Sequence, residues 1–264
     1  MNSPLIKDKK TNLFIILSGI FLTNAIIAEM IGVKIFSLES TLGLAPAGLK
    51  FFFSEPLDLN LTAGVIIWPV VFITTDIINE YFGKKGVKKI SFLTAGFIMY
   101  IFFIIYFVTS LPPAPLWLKV NEIAPDGSHY NINFAFTNIF RQGMGIIIGS
   151  ITAFLIGQLL DVFIFQRLKF LTGPKKIWFR ATGSTMVSQF VDSFLVLIIA
   201  FYLFGNLSLA QVIAIGIINY VYKVLMAIVL IPLLYAGHFL IDRYLGKEES
   251  ERMSEEASRD RSFF

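Results

Sequence analysis

The chain has 264 residues, of which 56% are hydrophobic and only 15% are charged. Soluble domains average about 25% charged residues, and a disordered chain would be polar and poor in aromatic residues. The composition therefore argues against a soluble globule and excludes a disordered chain. It predicts an all-α, polytopic membrane protein, since each spanning helix needs about 20 apolar residues.

The net charge is +4, and the chain contains no cysteine. Disulfides, thiolate metal sites and cysteine nucleophiles are therefore excluded. The two histidines, His129 and His238, lie far apart and lack the spacing of metal ligands. We therefore expect no metal and no cofactor. We also expect no nucleic-acid partner, because the positions of the basic residues suit a simpler role at the membrane surface.

Six apolar runs are long enough to cross a hydrocarbon core of about 30 Å. In lipid they must be helices, because a lone strand would leave its backbone groups unpaired. Pro69 would remove a hydrogen bond from the second run, and Pro232 predicts a kink in the last run, which can extend to Tyr244. The runs are Leu13–Val33, Leu61–Tyr81, Ile90–Leu111, Gln142–Phe165, Thr182–Phe204 and Ala210–Leu234.

Basic residues alternate between the connections that join these runs. Seventeen of them fall on one side of the predicted membrane, and three, Lys34, Lys50 and Lys119, fall on the other. The positive-inside rule then places both termini in the cytoplasm. The seventeen are Lys7, Lys9, Lys10, Lys84, Lys85, Lys88, Lys89, Arg167, Lys169, Lys175, Lys176, Arg180, Arg243, Lys247, Arg252, Arg259 and Arg261.

The chain divides into a cytoplasmic N-terminal segment, 1–12, a six-helix domain, 13–244, and a cytoplasmic charged tail, 245–264. The tail mixes acids and bases and predicts a solvated helix or disorder. The long outer loops, 36–60 and 112–140, are rich in proline and aromatic residues. An interfacial aromatic belt is the simpler interpretation of these loops, and a lid over a pore is left open.

Carboxylates at the centre of a spanning helix cost about 2.5–3.5 kcal/mol each on insertion scales, so they mark candidate sites. Counted from the middle of each run at about 1.5 Å per residue, Asp192 and Lys223 lie near the midplane. Asp76 and Asp161 lie roughly 7 and 11 Å towards the cytoplasm. Glu29 lies in the outer half, where a pair with Lys34 would explain it.

The fourth and fifth runs share a short pattern, with Gln158 before Asp161 and Gln189 before Asp192. This spacing sets an amide and a carboxylate one turn apart on one helix face. Two such helices could line one site as a pseudo-symmetric pair. The alternative is that these groups only join helices, with an aspartate bound to Lys223.

Small residues form a stripe on the fourth run. Their simplest role is close packing between helices, since no phosphate-binding loop pattern occurs. The glycines of the stripe are Gly143, Gly145, Gly149 and Gly157.

The segment from Trp68 to Lys85 reads WPVVFITTDIINEYFGKK. It resembles the hallmark segment of the queuosine precursor transporter family, also called the vitamin uptake transporters. Residues 150–165 look like the fourth helix of that family, and residues 178–192 look like its fifth. Asn24 and Lys223 are similar to polar positions of the same family. The resemblance covers Leu13 to Asp242, with outer loops longer than in compact members.

The resemblance implies a multi-pass importer of the inner membrane that carries 7-cyano-7-deazaguanine, 7-aminomethyl-7-deazaguanine or both. A carboxylate can accept the two adjacent donors of a guanine edge, and Trp68, Tyr81, Phe163 or Phe194 can stack on its ring. The candidate substrate-binding residues are Asn24, Asp76, Asn79, Glu80, Gln158, Asp161, Arg180, Ser184, Gln189, Asp192 and Lys223.

Two other classes of function are alternatives for a chain of this size and composition. A substrate-binding membrane subunit of an ATP-driven vitamin importer would have a similar size and number of spans, but it would need a partner. A membrane enzyme is disfavoured, because the chain lacks the common hydrolase and metalloprotease motifs. We therefore expect no enzyme. The expected partners are the small-molecule substrate and the bilayer, and a homo-oligomer is left open.

Overall fold

The computed structural model describes residues 8–32, 34–48, 58–141, 144–172, 176–204 and 207–259, and most of them are helical. Lys7, Lys50, Lys175, Arg261 and Gly143, used above, lie outside the described residues. In chain order the elements are α1 Lys9–Ile31, β1 Ile35–Ser37, α2 Leu38–Thr41, β2 Asn60–Thr62, a 3₁₀ turn Ala63–Ile66, α3 Trp68–Thr109, α4 Pro115–Val120, α5 Ile132–Phe140, α6 Met144–Thr172, α7 Ile177–Leu197, a π-helical turn Ile198–Leu203, α8 Leu209–Val229, α9 Ile231–Leu245 and α10 Lys247–Arg259.

The two ends of the helical bundle differ. At one end, β1 pairs antiparallel with β2, with Phe36 opposite Leu61; we call this the strand end. At the other, the first turn of α1 meets the C-terminal helices, since Lys10 pairs with Glu249 of α10 at 2.6 Å. We call this the tail end.

Helix α3 contains 42 residues and would measure about 63 Å if it were straight, twice the thickness of a hydrocarbon core. It is broken at Gly83, whose φ of 65° and ψ of −171° are not helical. The two arms, 68–82 and 84–109, overlap the second and third predicted runs. The start of the second run, however, forms β2 and the 3₁₀ turn. Within the described residues, five helices are long and apolar enough to span a membrane, with α3 counted once.

Pro69 and Pro232 both lie in the first turn of a helix. Pro69 is the second residue of α3. Pro232 is the second residue of α9, and Leu230 separates α9 from α8, so the last predicted run is interrupted beside Pro232 as expected. The first turn of a helix has no use for the missing N–H of proline. Pro69 therefore removes no hydrogen bond from a helix interior, contrary to expectation, because the regular helix of the second run begins at Trp68.

Burial is consistent with a lipid environment. Fully buried side chains such as Phe21, Val71, Ile78 and Phe165 form one core between α1, α3 and α6. Large apolar side chains cover the outside of the bundle, for example Phe103, which is 68% exposed. A soluble monomer rarely exposes so large an apolar surface, so the chain is a polytopic membrane protein.

Glycines let α6 approach α7 closely, as predicted. A Cβ on Gly157 would lie 3.4 Å from the Cβ of Asp192, and one on Gly149 would lie 3.2 Å from the backbone of Val196 and Ala200. Both glycines are buried. The small-residue stripe therefore brings the acid of α7 directly against α6.

Candidate functional site

A cavity of about 230 Å³ opens at the strand end, between α1, α3, α6, α7 and α8. It is smaller than the roughly 300–1,000 Å³ of pockets for drug-sized ligands, so it suits a compact solute. Its polar wall comes from four helices, and aromatic rings complete it. The lining includes Glu29, Trp68, Ser150, Phe154, Asp192, Phe201, Asn219 and Lys223.

An ion pair forms one wall of the cavity. The Nζ of Lys223 lies 2.5 Å from an oxygen of Asp192, and the side chains are 12% and 21% exposed. Asn219 lies one turn before Lys223 on α8 and lines the same cavity. This wall therefore offers a cation, a carboxylate and an amide at one depth, as the i, i+4 spacing on α8 indicates.

Glu29 faces the ion pair from α1. It is only 8% exposed, and the hydroxyl of Ser150 on α6 lies 2.5 Å from both of its carboxylate oxygens. The expected pair with Lys34 is not formed in the described part of the chain, because Lys34 is exposed beyond the end of α1. Glu29 therefore belongs to the cavity, as the sequence argument did not foresee.

One of the four aromatic candidates lines the cavity. Trp68 does so, with its ring centroid 6.0 Å from that of Phe154. Phe163 is 54% exposed on the outer surface, Phe194 packs on Gly216, and Tyr81 lies at the tail end. Trp68 and Phe154 supply flat apolar surface beside the polar wall.

A second polar group is buried in the middle of the bundle. Asp161 accepts a hydrogen bond from Ser188 at 3.1 Å, and the buried hydroxyl of Ser184, one turn earlier on α7, donates to the carbonyl of Ala181. Asp76 lies within electrostatic range of Asp161, and one of its oxygens has no hydrogen-bond partner among the described residues. Beside Asp76 lies a cavity of about 20 Å³, large enough for roughly one water molecule.

The two amides of the repeated pattern are also buried here. Thr75 donates to the side-chain oxygen of Gln158 at 3.3 Å, and Gln189 is 5% exposed. The aspartates of the two Gln/Asp pairs lie in different surroundings. Asp161 is enclosed in this layer, whereas Asp192 lines the open cavity. The structure therefore separates the two acids.

A third group, at the tail end, surrounds Glu80. One oxygen of Glu80 lies 2.7 Å from Arg180 and 3.3 Å from Lys169, and the Nζ of Lys169 also donates to the Glu80 carbonyl at 2.7 Å. All three side chains are at most 5% exposed. Asn79 accepts a hydrogen bond of 2.6 Å from Gln166. We call Asn79, Glu80, Gln166, Lys169 and Arg180 the tail-end cluster.

The predicted site residues thus fall into three places. Asp192 and Lys223 line the cavity; Asp76, Gln158, Asp161, Ser184 and Gln189 form the middle layer; Asn79, Glu80 and Arg180 belong to the tail-end cluster. Asn24 joins none of these contacts, since its side chain donates to the carbonyl of Ile20 on its own helix.

Sequence reasoning missed several residues of these groups. Lys169 was counted as a loop charge, although Asp161, Phe165 and Lys169 recur every four residues and therefore share a helix face. All three are buried. That spacing was a usable signal. Phe154 and Ser150 gave no such signal in the sequence, because aromatic rings and hydroxyl groups are common in any spanning helix.

Comparisons with known proteins give a consistent result. Residues 62–237, two thirds of the chain, match the model of the family described as "Putative vitamin uptake transporter". A Haemophilus influenzae protein named "Probable queuosine precursor transporter" is 29% identical over 87% of this chain and 88% of its own length.

Two further relatives are similar. A Bacillus subtilis protein with the same name is 26% identical over 71% of this chain and 76% of its own. The Escherichia coli "Queuosine precursor transporter" is 26% identical over 73% of this chain and 80% of its own. No solved structure matches the chain.

Proposed function

The chain belongs to the vitamin uptake transporter family, and from this premise we propose that it imports queuosine precursors as a secondary transporter. The cargo is 7-cyano-7-deazaguanine, 7-aminomethyl-7-deazaguanine or both. The names of three relatives support the substrate class. The protein works in the inner membrane and needs no enzymatic step.

The cavity at the strand end is the observation that carries this proposal. A 7-deazaguanine is flat and presents an N–H and an amine side by side on one edge. A carboxylate such as Asp192 or Glu29 accepts both donors in a bidentate pair. Trp68 and Phe154 offer aromatic surface to the ring, so the chemistry of the wall and that of the cargo agree.

The ion pair fits a reversible site. Lys223 and Asn219 can donate to the ring carbonyl oxygen and, in the 7-cyano compound, to the nitrile nitrogen beside it. Before cargo enters, Lys223 holds Asp192, which keeps a partly buried charge paired. A solute without matching donors would leave that wall unsatisfied, and this cost gives selectivity.

The proposal includes six spanning helices with both termini in the cytoplasm. The break at Gly83 supports it, because it divides α3 into two segments, one for the second span and one for the third. The tail end is rich in basic residues, as the positive-inside rule requires of a cytoplasmic face. The cavity with its strand end then faces outside, where an importer collects cargo.

The orientation can be tested by cysteine labelling, since no native cysteine interferes. Ser128→Cys and Glu251→Cys place thiols at exposed positions before α5 and on α10. An impermeant reagent applied to intact cells should label the first alone. Labelling of Glu251→Cys in intact cells would contradict the orientation.

Transport itself is tested by reconstituting the purified chain in liposomes without any ATPase. Uptake of radiolabelled 7-deazaguanines that unlabelled compound blocks would support a secondary transporter. Uptake only after an ATPase is added would favour the subunit of an ATP-driven importer. Folded protein that neither binds nor carries either compound would refute the proposed function.

A further inference from the structure

Helix α10 docks on the break in α3. The carbonyl oxygen and Cβ of Ala257 lie 3.3 and 3.4 Å from where a Cβ on Gly83 would be. Met253 and Ser250 of α10 are 5% and 2% exposed, respectively. The helix that was expected to be solvated or disordered therefore has one face packed against the bundle.

Hydrogen bonds join the same face of α10 to charged groups of the bundle. The hydroxyl of Ser254 donates to Glu80 at 2.5 Å, and that of Ser250 donates to Asp242 at 2.6 Å. Asp242 also accepts a hydrogen bond from Tyr81 at 3.3 Å. Hydrogen bonds to charged groups are about twice as strong as neutral ones, so these contacts select one docked position.

A third contact ties α10 to the first helix. Lys10 of α1 and Glu249 of α10 form an ion pair of 2.6 Å, with both side chains about one third exposed. Such an exposed pair contributes little stability. It is a contact that can open, in contrast to the buried pairs around Glu80.

The docked helix covers the tail-end cluster. Glu80 binds Arg180 and Lys169 with almost no exposure, and Ser254 occupies the α10 side of the same carboxylate. A buried ionic cluster costs desolvation, which water would relieve if α10 moved away. The cluster therefore stays dry only while α10 is in place.

We propose that α10 is a latch that closes the tail end of the transport path and must leave its docking site before cargo can exit. The inference rests on the proposed function for the existence of a path, which would run from the cavity through the middle layer to the tail-end cluster. The tail-end cluster, and Glu80 in particular, forms the docking site to which α10 binds in the closed state.

Cross-linking provides the test. In the variant Lys10→Cys/Glu249→Cys, a bifunctional thiol reagent with a reducible spacer ties α10 to α1. We expect liposome uptake of labelled 7-deazaguanine to fall about tenfold or more, as for other locked lids, and to return after reduction. Binding of the same compound should be unchanged, because the cavity lies at the opposite end.

The matched control is Arg252→Cys/Glu256→Cys, which has two exposed positions one turn apart on α10. The same reagent modifies this pair without tying α10 to the bundle, so transport should continue. Equal transport before and after cross-linking of the first pair would overturn the latch. Equal loss in both pairs would overturn it too, since the loss would then come from modification.

A second measurement does not depend on the cargo. Thr182 lies beside Asp76 in the middle layer, so a thiol in Thr182→Cys reports access from the tail end. Adding Ser254→Ala removes a hydrogen bond to a charged group, which should speed modification about tenfold or more. The cross-link should slow it.

The two measurements separate the proposals. In one outcome, the rate of thiol modification changes with the position of α10 but the protein binds no 7-deazaguanine. That result would refute the proposed function and keep the latch. In the other outcome, the protein binds and imports 7-deazaguanines, but neither Ser254→Ala nor the cross-link changes the rate of thiol modification. That result would refute the latch and keep the proposed function.

Discussion

Lys223 of α8 and Asp192 of α7 form their ion pair at the wall of the cavity, with 12% and 21% of their side chains exposed. This ion pair is partly buried, between a fully exposed surface pair and a fully buried one. Removing one partner leaves a partly buried charge, while the open side lets a ligand compete for either group. Folding and binding must therefore be measured separately for every variant at this site.

We expect Asp192→Asn to weaken binding of a 7-deazaguanine strongly. The change keeps the size of the side chain but turns one acceptor into a donor, which then faces a donor of the ligand. The loss should be about 2–4 kcal/mol, or roughly 30- to 1,000-fold in affinity. Equilibrium binding to purified, folded protein measures it.

Glu122→Gln is the matched control for that variant, because Glu122 is an exposed acid near α4 that should not affect the cavity. Near-wild-type affinity of Asp192→Asn would move Asp192 from the binding site to the scaffold. Glu29, on the facing wall, would then be the next acid to test.

Ser188→Ala should affect stability more than binding. Ser188 is fully buried and donates to Asp161, so its loss leaves a buried carboxylate with one donor fewer. We expect a cost of about 1–3 kcal/mol in the free energy of unfolding, read from thermal or denaturant unfolding in detergent. Lower ligand affinity at unchanged stability would place the middle layer in the binding site instead.

Gly149→Ala should disturb the contact between α6 and α7. The new Cβ would meet backbone atoms of Val196 and Ala200 at 3.2 Å, and backbone cannot move aside as a flexible side chain can. Overpacking of this kind costs about 1–3 kcal/mol. Gly96→Ala is the control, since its Cβ would meet nothing within 4 Å, and it should be neutral or stabilising.

The loop at the strand end should loosen in acid. The amide of Leu59, 2.6 Å away, is the main cause that holds the pKa of Glu39 below its usual value, with smaller contributions from Ser37 and Ala47. The contribution of Glu39 is then full above about pH 4.3, the ordinary value for glutamate, and is lost as pH falls through the lowered pKa.

Hydrogen exchange of the Leu59 amide between pH 6 and 3 measures this effect, after correction for the intrinsic pH dependence of exchange. In Glu39→Gln the side chain cannot titrate, so the protection should be weaker and independent of pH. Identical profiles for the two proteins would show that Glu39 does not hold the loop.

The helices and their close contacts followed from the sequence more directly than the site did. The length of an apolar run predicts a spanning helix, because lipid allows few other backbone conformations. Gly149 and Gly157 predicted where another helix packs closely on α6. Counting residues gives the height of Asp161 and Asp192 along a helix, but not the direction in which each faces. Only packing separates these two acids into an enclosed layer and an open cavity.

The docking of α10 could not be predicted for a different reason. Its docked face consists of Ser250 and Met253, which are buried, and Ser254 and Ala257, which are half-buried. Such a composition resembles that of any solvated helix. Of the charges that receive the two serines, Asp242 is only eight residues from Ser250, whereas Glu80 lies far away in sequence. A polar contact between distant segments leaves no periodic signal, whereas an apolar face would have done so.

The π-helical turn at Ile198–Leu203 has a consequence for how relatives are aligned. A π turn holds an extra residue compared with an α turn, and this turn carries Phe201 into the cavity wall. Deleting one residue of this turn before Phe201 would change the turn to α-helical spacing and rotate Phe201 by about 100° around the helix axis. A relative shorter by one residue in this stretch would present a different side chain to its cargo, so a single gap in an alignment would mark a change of the binding surface.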